Sequence, residues 1–224
     1  MATKKQQPAS EFEQTLNNSE AFFIKNKKAI ISCVVAIIVI VAGVMIYNSY
    51  VAGPRADKAS TALSKGQEYF AEQNYDKALN GDGTEYQGFI KIAEEYGSTD
   101  AGNLARLYAG LCYANTEKWE EAVKALEDFD GADDQMISPA AIGALGNAYA
   151  HLNQLDKAVA KLKEAAKKAD NNSLSPTFLV QAGEILESQG KKDEALKLYQ
   201  EVKDKYFNSM AYQDIDRYIE RVSE

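Results

Sequence analysis

Residues 29–47, AIISCVVAIIVIVAGVMIY, run for nineteen positions without a charge. At about 1.5 Å per residue, a helix of that length covers roughly 28 Å, close to the ~30 Å hydrocarbon thickness of a bilayer. Its side chains, Ile30, Val35, Ile38, Val41 and Ile46 among them, are apolar all round and leave no face for water. The alternative, a buried core helix, would need surroundings that the rest of the chain is not apolar enough to supply. The run therefore reads as a membrane anchor in contact with lipid. It divides the chain into an arm, 1–28, and a long domain, 59–224, joined to the anchor by a juxtamembrane linker over 48–58. Gly53 and Pro54 end or kink the spanning helix.

Charge sets the expected orientation. Lys25, Lys27 and Lys28 sit directly before the apolar run, whereas Arg55 and Lys58 lie farther out on the other side. The positive-inside rule puts the arm in the cytoplasm and the domain outside, in the periplasm for a bacterial inner membrane. A cleaved signal peptide is the competing reading. It would need a 28-residue basic region, an unusually long apolar core, and the bulky Tyr50 at −3 from a cut after Ala52. Residues 55–224 carry 20 basic and 30 acidic side chains, a balance that argues against nucleic-acid binding.

The two cysteines fall on different segments, Cys33 in the apolar run and Cys112 in the domain, so no disulfide framework is expected. The domain is rich in Ala, Leu, Tyr, Glu and Lys and poor in Pro, which reads as all-helical. In the arm, residues 1–9 read as disordered. Ser10 with Glu13 has the form of a capping box, Phe12 and Leu16 share a face, and Ser19 could cap a second start ahead of Phe22 and Phe23. The arm serves either as a simple orientation signal or as a contact with another membrane protein.

Beyond Pro54 the chain repeats itself. Ala109-Gly110 with Tyr113 precedes Ala122 and Leu126. Leu145-Gly146 with Tyr149 precedes Ala158, Leu162 and Ala165, and Ala182-Gly183 with Leu186 precedes Ala195, Tyr199 and Val202. The glycines recur after 36 and then 37 residues. These residues resemble the tetratricopeptide repeat, in which paired helices stack because neither can bury its face alone. Asn153 and Gly190 fall at the turns within pairs, where a left-handed residue is often needed.

An earlier unit is broken. Gly66, Tyr69, Tyr75 and Ala78 match the pattern, Asn80-Gly81-Asp82-Gly83 interrupts it, and Phe89, Ile92, Ala93 and Tyr96 resume it. The 44 residues from Gly66 to Gly110 imply an insertion of about seven, placed at 79–85. The expected fold is all-α. One N-terminal transmembrane helix precedes an α-solenoid of about four tetratricopeptide-like pairs, near 59–99, 103–136, 139–172 and 176–208, with a capping helix over 209–224.

No enzyme chemistry is legible, and no cofactor, metal or small-molecule substrate is expected. His151 is the only histidine, no nucleophile elbow or phosphate-cradling loop is present, and Asn80–Gly83 lacks calcium-loop spacing. A repeat stack binds proteins through the face lined by the first helix of each pair. The repeat register puts Leu63, Gln67 and Phe70, then Leu104, Leu107, Leu111 and Asn115, then Gly143, Asn147 and His151, then Val180, Glu184 and Glu187 on that face. Leu104, Leu107 and Leu111 suit an apolar segment of a partner, unless they are buried against the insertion or the next repeat.

The layout also resembles the YfgM-like group of single-span, periplasm-facing repeat proteins that accompany the SecYEG translocon. Glu11, Glu13, Glu20, Phe22, Phe23, Lys25, Asn26 and Lys27 match its acidic-then-basic opening in kind. The resemblance implies SecYEG, together with a periplasmic membrane-anchored chaperone or prolyl isomerase, as partners in handing over emerging envelope proteins. A scaffold for outer-membrane biogenesis or cell-wall synthesis is the alternative function.

Overall fold

The computed structural model describes residue 22 and residues 24–223. The expected capping box at Ser10, the Phe12–Leu16 face and Ser19 lie outside the described residues. Among the described residues there is no β-strand. The chain divides into two compact units, Met1–Pro54 and Arg55–Glu224.

In the first unit, α1 spans Lys27–Tyr47 and buries none of its residues. Val35, Ile38, Val41 and Ile46 are exposed and Ile30 is half-buried. The helix is long and apolar enough to cross a membrane. Residues 48–58, the expected juxtamembrane linker, are helical. A π-helical turn occupies Asn48–Ala52, and α2 begins at Gly53 and runs to Ala71. Pro54 explains the loosened turn, because a regular helix would bring its ring against the carbonyl four residues back and lacks the N–H to bond it.

The second unit is a stack of helix pairs. After α2 come α3 (Tyr75–Asn80) and α4 (Phe89–Tyr96), then α5 (Asp100–Asn115) with α6 (Trp119–Glu127). Two more pairs follow, α7 (Ile137–His151) with α8 (Leu155–Ala169) and α9 (Ser175–Ser188) with α10 (Lys192–Lys205). A 3-10 turn, Ala211–Asp214, leads to α11 (Ile215–Ser223). Pro139 and Pro176 fall in the first turns of α7 and α9, where a missing N–H costs nothing.

Each pair turns in the same way. Gln73, Glu117, Asn153 and Gly190 are left-handed, with φ of 59°, 59°, 58° and 74°. In every case the next residue's N–H reaches the carbonyl five residues back, as Gln154 does to Tyr149 at 2.9 Å, and the left-handed residue's own N–H reaches three back, as Asn153 does to Ala150 at 2.9 Å. These paired bonds satisfy carbonyls that the ending helix leaves orphaned.

Packing within pairs follows the glycines. Ala78, Ala122, Ala158 and Ala195 have no exposed surface, and a Cβ on Gly146 would come within 2.9 Å of Leu162 Cγ. The helices of a pair therefore meet at close range, and in the three regular pairs the large side chain sixteen residues on lies against the glycine.

Two interruptions depart from the regular stack. Loop 81–88 splits the second helix of the first pair and is organised on Asp82. That carboxylate accepts from Thr84 N and Thr84 Oγ1 at 2.9 Å each, Tyr86 N at 3.2 Å and Tyr69 Oη at 2.8 Å, and these bonds hold it well below the usual range. α6 stops at Glu127, and residues 128–136 form a second loop.

Candidate protein-docking cleft

The first helices of three successive pairs, α2, α5 and α7, contribute to one open cleft of about 490 Å³. α2 supplies Gln67 and Phe70, α5 supplies Leu104, Leu107, Tyr108 and Leu111, and α7 supplies Ile137 and Ala140, with Met136 just before it. No charged side chain lines it. Gln67 Nε2 donates to Tyr108 Oη at 3.0 Å, and the Phe70 ring meets the Tyr108 ring edge-on at 5.3 Å. The floor is thus an aromatic layer fixed by one polar bond.

The mouth is different. Met136 and Ile137 are 55% and 49% exposed although they are large and apolar. Their position is held from both sides. The Asp134 carboxylate accepts from Ser138 Oγ, and from Met136 N at 2.8 Å, Ile137 N at 2.5 Å and Ser138 N, capping α7, and these bonds, that of the Ser138 hydroxyl foremost, keep its carboxyl down at about 2. Asn171 Nδ2 donates to Gln135 O at 2.9 Å, which ties the segment to the start of the next pair.

The residues expected on this face separate into groups. Phe70, Leu104 and Leu111 line the cleft and are half-buried. Leu107 lines it too, but is only 7% exposed and belongs to the core formed with Leu126, Ala141 and Leu145. Leu63 does not reach the cleft. It is buried in the core cluster that holds Ala59, Phe89 and Ala105, because the broken first pair folds its extra residues onto α2.

Asn147 and His151 lie farther along α7 and do not line the cleft. The His151 ring instead stacks flat on Trp119, 3.7 Å between centroids and 2° from parallel. Gly143 faces α9, where a Cβ would come within 2.2 Å of the Phe178 ring. Glu187 is taken by the capping helix, where Arg221 Nε and Nη2 donate to its two oxygens at 2.7 Å each.

Sequence reasoning missed Tyr108, Met136, Ile137 and Ala140. One signal for Met136 and Ile137 was present: an apolar pair directly after an aspartate-rich stretch, with no place in the repeat pattern.

The family model described as "T7SS, ESX-1 secretion system protein EccA1, N-terminal domain" matches residues 50–213. The chain belongs to this family. The match covers α2 to the 3-10 turn, and so the whole repeat stack, while α1 lies outside it. It corrects the resemblance to the YfgM-like translocon group and removes the ground for the SecYEG and chaperone or prolyl-isomerase partners implied by it. An anchor, a charged flank and generic helix-pair packing are shared by unrelated repeat proteins, so they carried the architecture and not the family. A search of curated proteins finds no match.

Proposed function

We propose that this chain is a non-catalytic, membrane-anchored docking protein whose cleft across α2, α5 and α7 takes an apolar segment of another protein. One observation carries the reading. Met136 and Ile137 stand half exposed over an apolar floor that no part of the described chain covers. Covering such surface releases roughly 25 cal/mol per Å². The family's description as part of a secretion-system protein supports a partner drawn from an export assembly or its cargo.

The anchor is α1, held in a bacterial inner membrane. The lysines before it favour a cytoplasmic N-terminus and a repeat domain on the far side. Tethering keeps the cleft at high effective concentration near membrane partners, so each individual contact can stay weak and reversible.

The test is site-specific photo-crosslinking in cells, with the reactive group placed at Leu111 or Met136 in the full chain and at exposed Lys163 on α8 as the comparison. Discrete protein adducts from the cleft positions and not from Lys163 are expected. Equal labelling from all three, or none, would defeat the proposal. Protease treatment of spheroplasts tests the topology, with the repeat domain expected to be digested and the arm protected.

A further inference from the structure

We infer that Gln67 and Tyr108 bind the main-chain N–H and C=O of one residue of the guest, so that the cleft takes a neutral segment in extended form and not a helix, an inference that rests on the docking reading above. Of the residues that line the cleft, these two alone carry a side-chain nitrogen or oxygen.

Their mutual bond leaves capacity over. Gln67 Nε2 donates to Tyr108 Oη at 3.0 Å, and neither side chain makes a second hydrogen bond among the described residues. The Tyr108 hydroxyl proton and the Gln67 amide oxygen are therefore both unused. Turning the amide over keeps the balance, because the hydroxyl would then donate to Gln67 Oε1 and leave the amide N–H groups and the Tyr108 lone pairs. Either way a donor and an acceptor stand side by side. Among the described residues only Gln181 Oε1 and Gln189 Oε1 are sealed from solvent without a partner, so the Gln67 oxygen is open to solvent. The pair is also fixed in place, since the Tyr108 ring stacks on Phe89 at 5.2 Å between centroids and 18° from parallel, and meets Phe70 edge-on.

A guest that shuts out water must replace the bonds these two groups lose, or binding pays for leaving them unpaired. In an extended chain the N–H and C=O of one residue point to the same side and are free to pair. In a helix interior both are already spent on the helix itself. Charge points the same way. No Asp, Glu, Lys or Arg lines the cleft, so an ionised side chain entering it would lose water and find no counter-charge. The occupant that matches the lining in both respects is an uncharged, extended, apolar stretch of another protein, with its side chains against Leu104, Leu111 and Met136.

The test uses the full chain in nanodiscs and a linear, end-capped fluorescent peptide of Leu, Val and Ser, followed by anisotropy. Companion peptides carry an ester in place of one main-chain amide, at each position in turn, and another is locked as a helix by a side-chain staple. One ester position should bind roughly fivefold weaker than the parent, and the helical peptide should also bind weaker. In the Gln67→Met/Tyr108→Phe variant, which keeps the ring contacts, that ester and its parent should bind alike, with the unfolding midpoint little changed. Should the variant fail to fold, the ester scan on the unaltered chain decides by itself. Esters that all bind like the parent, or a helical peptide that binds as tightly, overturn the main-chain reading while the docking reading stands. Binding of none, or binding equal to that of empty nanodiscs, overturns both.

Discussion

Phe89 lies over Gly66, and a Cβ on that glycine would meet Phe89 Cε1 at 2.4 Å. Leu126 stands in the same relation to Gly110, Leu162 to Gly146 and Tyr199 to Gly183. In the regular pairs the large residue follows its glycine by sixteen positions, and in the first pair by twenty-three, so loop 81–88 adds seven residues without changing which contact is made. Gly183→Ala, with its new methyl 2.3 Å from Tyr199 Cε1, should destabilise the domain by about 1–3 kcal/mol. Urea unfolding followed by circular dichroism checks this, and an unchanged midpoint would mean that the tyrosine ring gives way.

The four left-handed turns use four different residue types. Gln73 and Glu117 carry side chains where glycine is the unstrained choice. Gln73→Gly and Glu117→Gly should each raise stability by up to about 1 kcal/mol, whereas Gly190→Ala should lower it by about 1 kcal/mol. Thermal unfolding of the three variants side by side gives the signs.

Leu107 and Leu111 are one helical turn apart and should respond differently to the same change. Leu107→Asp places a carboxylate in the core beside Leu126 and Leu145 and should cost at least about 3 kcal/mol. Leu111→Asp, at a half-buried position on the cleft wall, should leave helicity and the unfolding midpoint nearly intact while abolishing cleft crosslinks. Comparing circular dichroism with adduct yield separates the two effects.

The Arg221–Glu187 pair latches α11 to α9. The guanidinium lowers the Glu187 carboxyl below its ordinary range, with a hydrogen bond from Tyr199 Oη helping. A carboxyl lowered on folding contributes stability above its unfolded pKa and loses it as pH falls through the folded value. The latch should therefore be fully present at neutral pH and weaken below about pH 4. Both side chains are partly exposed, so its contribution is under about 1 kcal/mol. Glu187→Gln should remove that part of the acid-side decline in melting temperature and leave the neutral side lowered.

Much of this fold could be read from residue pattern because its rules are local. A small residue where helices cross and a left-handed residue at each turn leave marks at fixed spacing. Asn153 and Gly190 were visible for that reason, and so was the length of the insertion. The cleft was only half legible. Phe70, Leu104 and Leu111 follow from repeat register, but Leu63 does not, since register ignores the extra chain that the first pair folds over it. Met136 and Ile137 depend on α6 stopping at Glu127 and on an asparagine from the next pair, Asn171, gripping the loop. Those are contacts between distant parts of the chain, which spacing alone does not encode.

Because α2, α5 and α7 belong to three successive pairs, anything seated in the cleft ties the first pair to the third across the second. Repeat arrays otherwise hold together through neighbours only. A guest would act as a cross-brace, stiffening the stack against bending and letting strain at one end be felt two pairs away. Occupancy would then register as heat resistance of the entire array, growing with guest concentration, so a partner could be sought by melting curves before its identity is known.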